Sequence, residues 1–111
     1  MAAFSEIMVE QYADFSTVIY IEDKQGDYIN ISGYSVISQM RQSPYSKTFF
    51  NFDTETTANV GEIILSMTAA NTSNIFPGRY SYDIKIMSPA NNVSRVVEGI
   101  VTVTPGISHG N

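Results

Sequence analysis

The chain has 111 residues and a net charge of −5, with 11 acidic against 6 basic side chains. That length suits one domain rather than two. The charge argues against nucleic acid and an anionic membrane surface as partners, since both demand a basic footprint.

A hydrophobic share of 43% against 15% charged residues describes a chain that folds around a core rather than a disordered one. There is no cysteine, which fits a reducing compartment or a virion better than a secreted disulfide-linked domain. The start, Met1-Ala2-Ala3-Phe4-Ser5-Glu6, has no basic segment followed by an apolar one, so no signal peptide is expected. The N-x-[ST] triplets at Asn30, Asn71 and Asn92 are then chance matches.

In chain order, Ile7, Val9 and Gln11 alternate with Met8 and Glu10 and give a first strand near residues 5–11. Tyr12-Ala13-Asp14 is a polar break. A second strand, 15–22, is rich in β-branched and aromatic residues. Asp23-Lys24-Gln25-Gly26-Asp27 reads as a tight loop with glycine at a positive φ. A short strand is expected over 28–31, a turn at Ser32-Gly33 and a longer strand over 34–41. The polar segment 42–47, containing Pro44, is a loop. A brief aromatic strand over 48–53 follows, then loop over 54–61 and strand over 62–68. Thr68 can cap one helical turn over the next residues.

The most regular stretch is Pro77 to Ile86. Tyr80, Tyr82, Ile84 and Ile86 share one face, and Arg79, Ser81, Asp83 and Lys85 the other. Pro77-Gly78 is turn chemistry that sets its start. The run Val93–Thr104 can fold back as its hairpin partner. These elements give an all-β chain, an Ig-like antiparallel β-sandwich of about 7–8 short strands spanning 1–104, with 105–111 as a C-terminal arm or tail. In Ig sandwiches a Gly-x-Tyr-x-Cys segment follows a helical turn, and its Tyr hydroxyl bonds back to pin the corner. Here Gly78, Tyr80 and Tyr82 occupy those places, with Tyr82 where the cysteine would sit. A plain meander with a Tyr-rich strand would share the local pattern.

Chemistry is sparse. His109 is the single histidine. It lies in the glycine-flanked tail, whereas a zinc site needs about four ligands and a catalytic triad a rigid support. Glu62, Asp83 and Glu98 fall on outward strand positions and read as a solvated face rather than a catalytic carboxylate pair. Asp14, Asp23 and Asp27 lie in loops without the ligand spacing of a calcium loop. No catalytic residue, metal or cofactor is assigned. Phe50 and Phe52, two apart, are expected in the core. Phe4, Tyr45, Phe49 and Ile107 are the interface candidates, since aromatic and apolar side chains anchor interfaces, and sheet edges invite added strands.

Several segments together resemble a known family. They are Asp23-Lys24-Gln25-Gly26, Asn30-Ile31-Ser32-Gly33-Tyr34, Met67-Thr68-Ala69-Ala70-Asn71-Thr72, Gly78-Arg79-Tyr80-Ser81-Tyr82-Asp83-Ile84, and the closing run Val93 to Pro105 with its Arg95 and Gly99. In order and spacing, over residues 7 to 105, they resemble small tailed-bacteriophage virion proteins with an Ig-like domain, similar to the N-terminal domains of baseplate upper proteins. Segment 42–61 has no clear counterpart. The resemblance implies a virion structural subunit of tail, baseplate or neck, present in multiple copies and docked on other virion proteins, found in the virion and in host cytoplasm during assembly. A capsid decoration (cement) protein fits the same features. A carbohydrate-binding module for host glycans would use exposed aromatics, with Tyr28, Tyr34 and Tyr45 as candidates. An enzyme is not expected.

Overall fold

The computed structural model describes residues 3–107 apart from Lys24 and Pro44. The strands are β1 (Ala3–Glu10), β2 (Phe15–Tyr20), β3 (Ser35–Arg41), β4 (Phe49–Asn51), β5 (Asp53–Thr56), β6 (Glu62–Met67), β7 (Gly78–Met87) and β8 (Val93–Thr104), with a single helical turn α1 (Ala69–Thr72). They form two sheets, ordered β1-β8-β7-β3-β4 and β2-β6-β5. This is the Ig-like arrangement: β8-β7-β3-β4 stand where the G, F, C and C′ strands stand, and β2-β6-β5 where B, E and D stand.

Between the sheets, alternate residues of every long strand meet in the core. Val9, Met40, Ile63, Leu65, Ile84, Val101 and Val103 are buried there. Phe52, also buried, joins the two layers. Its amide still donates to the Ser38 carbonyl of the first sheet (3.0 Å), while the next residue, Asp53, already pairs with Ser66 of the second. β4 and β5 are thus one ribbon that changes sheets at Phe52. The Phe52 ring packs at 5.8 Å from Phe15 on β2 and at 6.2 Å, edge to face, from Tyr82 on β7. A chain of three rings spans the sandwich where a disulfide usually does.

The register sets Tyr82 opposite Gly99 and Gly99 opposite Ser5. A Cβ on Gly99 would sit 1.8 Å from the Ser5 carbonyl oxygen, so glycine is what lets β1 close on β8. The buried Tyr82 hydroxyl has no hydrogen-bond partner among the described residues. Burial pushes its pKa up, and Ser5 lies near enough to ease that shift without completing a bond.

The corner before β7 is pinned. Tyr80 Oη donates to the Phe76 carbonyl at 2.7 Å, and Gly78 takes φ +149°. The preceding turn is anchored as well. Thr68 Oγ1 accepts from the Asn71 amide at 3.3 Å, Asp14 Oδ1 from the Ala69 amide at 2.7 Å, and Thr72 Oγ1 donates to the Ala13 carbonyl at 2.9 Å. The turn, too short to persist alone, is held by its cap and the β1–β2 loop.

Three expectations need correction. Residues 28–31 do not form a strand: only an isolated bridge joins Glu22 and Tyr28. The expected turn at Ser32-Gly33 is present, closed by the Tyr34 amide donating to the Ile31 carbonyl at 3.0 Å with Gly33 at φ +82°, and the Asn30 side-chain oxygen accepts from the Ser32 amide. Residues 54–61 are not all loop, because β5 occupies 53–56. Its side chains are polar on an edge, so it carries no apolar alternation to read. Finally, the sandwich is not wholly antiparallel: β1 runs parallel to β8. β1 has crossed to the sheet opposite β2, and Tyr12, at φ +69°, turns the chain between them. Gly106 packs against Gln11, where a Cβ would lie 2.1 Å from the Gln11 carbonyl oxygen; the end of the segment expected to be an arm, 108–111, lies outside the described residues.

Three substitutions test this packing in the isolated domain. Gly99→Ala should cost ~2–3 kcal/mol in chemical denaturation and raise amide exchange first in β1; unchanged protection there would mean that β1 adapts freely. Tyr80→Phe should cost about 0.5–1.5 kcal/mol, one hydrogen bond. Tyr82→Phe should be neutral or stabilising, since it removes a buried hydroxyl that lacks a partner. The reverse ranking would reassign the corner.

Candidate docking surface

Alternation leaves the other half of each strand facing outward. On the five-stranded sheet these positions form rows: Asn51, Gln39, Asp83, Glu98 and Phe4 in one, and Phe49, Arg41, Ser81, Ile100 and Glu6 in the next. A shallow depression of about 670 Å³ lies over this face, with Phe4 and Ile100 on the β1–β8 side and Ile37 and Arg41 on β3.

A β-bulge shapes its charge. Between Ile84 and Lys85 the pairing slips, so that Ile84 faces Val97 but Lys85 faces Arg95. The extra residue, Val96, packs against the core. Beyond a bulge the facing of the strand inverts, and this brings Arg95 to the outer face. Its Nε lies 3.2 Å from Asp83 and its Nη1 3.3 Å from Glu98. Those two carboxylates oppose each other across β7 and β8, and Arg95 offsets their repulsion. As an exposed pair of bridges it adds little stability of its own.

The other cations of this face have no carboxylate within ion-pair distance among the described residues. Arg41 lies over the Phe49 ring at 4.6 Å and donates to the Ser46 carbonyl at 2.7 Å and to Gln39 Oε1 at 3.2 Å. It is held in place, and its charge stays available. Lys85, opposite Ile37, and Arg79 are exposed on the same face.

The outer face of the three-stranded sheet differs. Val18, Ile64 and Glu55 form one row, Ser16, Ser66 and Asp53 another, and Tyr20 pairs with Glu62. The Tyr20 and Tyr28 rings stack at 5.6 Å. Glu62 accepts from Thr57 Oγ1 at 2.7 Å and Asn59 Nδ2 at 3.2 Å, and these bonds hold its pKa below the usual carboxylate range. The same carboxylate, by hydrogen bond and charge, raises the pKa of Tyr20.

Of the interface candidates, Phe4 (63% exposed) and Phe49 (41%) lie on the outer face of the five-stranded sheet. Tyr45 is 94% exposed in the β3–β4 loop, which Arg41 ties to that face through Ser46. Ile107, 96% exposed, follows β8 and is not part of the depression. Phe50 and Phe52 both pack inward. The aromatics proposed for glycans are not gathered. Tyr28 stacks on Tyr20, Tyr34 packs against the core, and neither lines the depression. Asp23 spends its carboxylate on the amides of Gln25 and Asp27. No group of three or more His, Cys, Asp or Glu gathers for a metal among the described residues, and His109 lies outside them. No helix among the described residues is long and apolar enough to cross a membrane.

Sequence reasoning passed over Met8 (68% exposed) and Ile37 (56%) on this face and Phe76 (83%) before β7. The signal for the first two was present: each breaks the alternation of its strand by placing an apolar side chain on the polar side.

No family model matches the chain, and no curated protein matches it. Among solved structures it is similar to the SrpA adhesin of Streptococcus sanguinis, with a TM-score of 0.51 and 13% identity over 89% of this chain and 54% of that one. An internalin-like protein of Listeria monocytogenes gives a TM-score of 0.47 at 14% identity, over 93% of this chain and 28% of its own. A family 123 glycoside hydrolase from Clostridium perfringens gives 0.42 at 9%, over 94% and 23%. The chain thus spans about half of the adhesin and less than a third of the other two. At these identities the likeness is one of fold.

Proposed function

We propose that the chain is a non-enzymatic structural subunit of a bacteriophage particle. It is present in many copies and docks on other virion proteins of the tail, baseplate or neck. The observation that carries the docking role is the outer face of the five-stranded sheet. There Phe4 and Ile37 line the shallow depression, and Met8 and Phe49 stand exposed on the edge strands of the same face. Exposed apolar side chains gathered on one face of a sheet, rather than scattered singly over the molecule, mark interaction sites. The class of partner rests on the resemblance to phage virion proteins over residues 7–105, whose closing segments are β7 and β8. A rigid domain repeated on a particle gains attachment strength from multivalency, so each copy can contribute a modest patch.

Mass spectrometry of purified virions should find the chain at stoichiometric copy number. Its absence would overturn the virion role. Phe4→Ser combined with Phe49→Ser should lower incorporation about tenfold, the loss of one interface anchor, while leaving the thermal midpoint of the isolated domain nearly unchanged. Full incorporation of that variant would move the docking site elsewhere. Labelling on the head instead of the tail would favour the decoration role.

A further inference from the structure

We infer that the partner of the outer five-stranded face is a second copy of this chain, presenting its three-stranded face, so that subunits stack head to tail. This rests on the reading of the chain as a repeated structural subunit, and it names one of the partners.

The argument is charge complementarity between the two broad faces of one molecule. The chain is acidic overall, at −5, but its charge is not spread evenly. Arg41 and Lys85 line the depression, and no carboxylate lies within 4 Å of either among the described residues. Asp83 and Glu98, the acids of the same depression, are already engaged by Arg95. Three cations (Arg41, Lys85 and Arg95) against two acids leave the depression a net positive spot in an acidic protein, with Glu6 standing outside it on β1. On the opposite face Asp53, Glu55 and Glu62 all point outward and have no cation within ion-pair distance among the described residues.

The apolar parts match as well. The cationic depression is lined by Phe4 and Ile37, and the acidic face carries Val18 and the stacked Tyr20 and Tyr28 rings. Apolar centres flanked by opposite charges give both affinity and register. Neither face is its own complement, since two cationic depressions or two acidic faces would oppose like charges. The contact is consequently heterologous, and a heterologous contact builds rings or filaments rather than closed pairs. With extents of 42 × 31 × 23 Å, the molecule has faces large enough for the roughly 800 Å² per partner of a standard interface.

The test is sedimentation velocity of the full chain over a range of concentrations. Wild type should form growing species that dissociate as salt rises from about 0.1 M to about 1 M, where the screening length falls from about 10 to about 3 Å. Arg41→Glu with Lys85→Glu, and separately Asp53→Lys with Glu55→Lys, should each sediment as monomers. Mixed in equal amounts, the two variants should associate again, because one now has two acidic faces and the other two basic ones. That rescue also shows that both variants are folded. Wild type that stays monomeric at every concentration, or a mixture that fails to associate, overturns the inference. Loss of association in one variant alone also overturns it, and indicates a symmetric pair instead. A monomer still present at stoichiometric copy number in virions overturns the stacking and leaves the virion role. A chain that assembles but is absent from virions does the opposite.

Discussion

Everything in this sandwich depends on how two sheets are held face to face without a covalent link. The solution is a line of aromatic rings, Phe15, Phe52 and Tyr82, running from β2 through the β4–β5 crossing to β7. Ring packing of this kind is worth about 0.5–1.5 kcal/mol per pair beyond the area it buries, comparable per contact to an ordinary hydrogen bond. It also has shape: an edge-to-face pair fixes angle and distance, so the rings set the spacing of the sheets as well as their cohesion. Gly99 belongs to the same device. Any side chain there would collide with the Ser5 backbone and lift β1 away from the strand it covers.

That geometry explains which parts of the fold were legible beforehand. β7 was plain because four apolar residues alternate without a break and a turn precedes them. The Tyr80 corner was plain because its motif is local. β5 was not, because Asp53, Glu55 and Thr56 show only edge polarity, and pairing with β6 rather than burial makes it a strand. The parallel partnership of β1 and β8 was not legible either. Period-2 alternation shows which face of a strand is wet but is silent on its neighbour, and the partners lie more than ninety positions apart in the chain.

The candidate docking surface was half visible. Phe4 and Phe49 stand out in a sequence as aromatics in polar company. Met8 and Ile37 break the alternation of their strands and were readable, whereas Lys85 gains meaning only when register sets it opposite Ile37. Arg95 is the clearest case. Read by simple alternation from Val101 and Val103 it belongs inside, and the bulge at Ile84/Lys85 turns it out to meet Asp83 and Glu98. An irregularity of one residue thus decides how the two opposed carboxylates of this face are met, which is why counting charges along the chain says little about the surface that they form.

The parallel pairing of β1 with β8 carries a mechanical consequence. Ala3 lies beside Val97 and Glu10 beside Thr104, so the chain enters at one end of this strand pair and leaves at the other. Tension applied between the two ends pulls the strands past each other along their length. The ladder bonds then share the load in shear instead of opening one at a time, as they would in a hairpin pulled from its open end. A domain wired this way resists a pull between its two ends with many bonds at once, a strength that follows from topology and not from the number of its contacts.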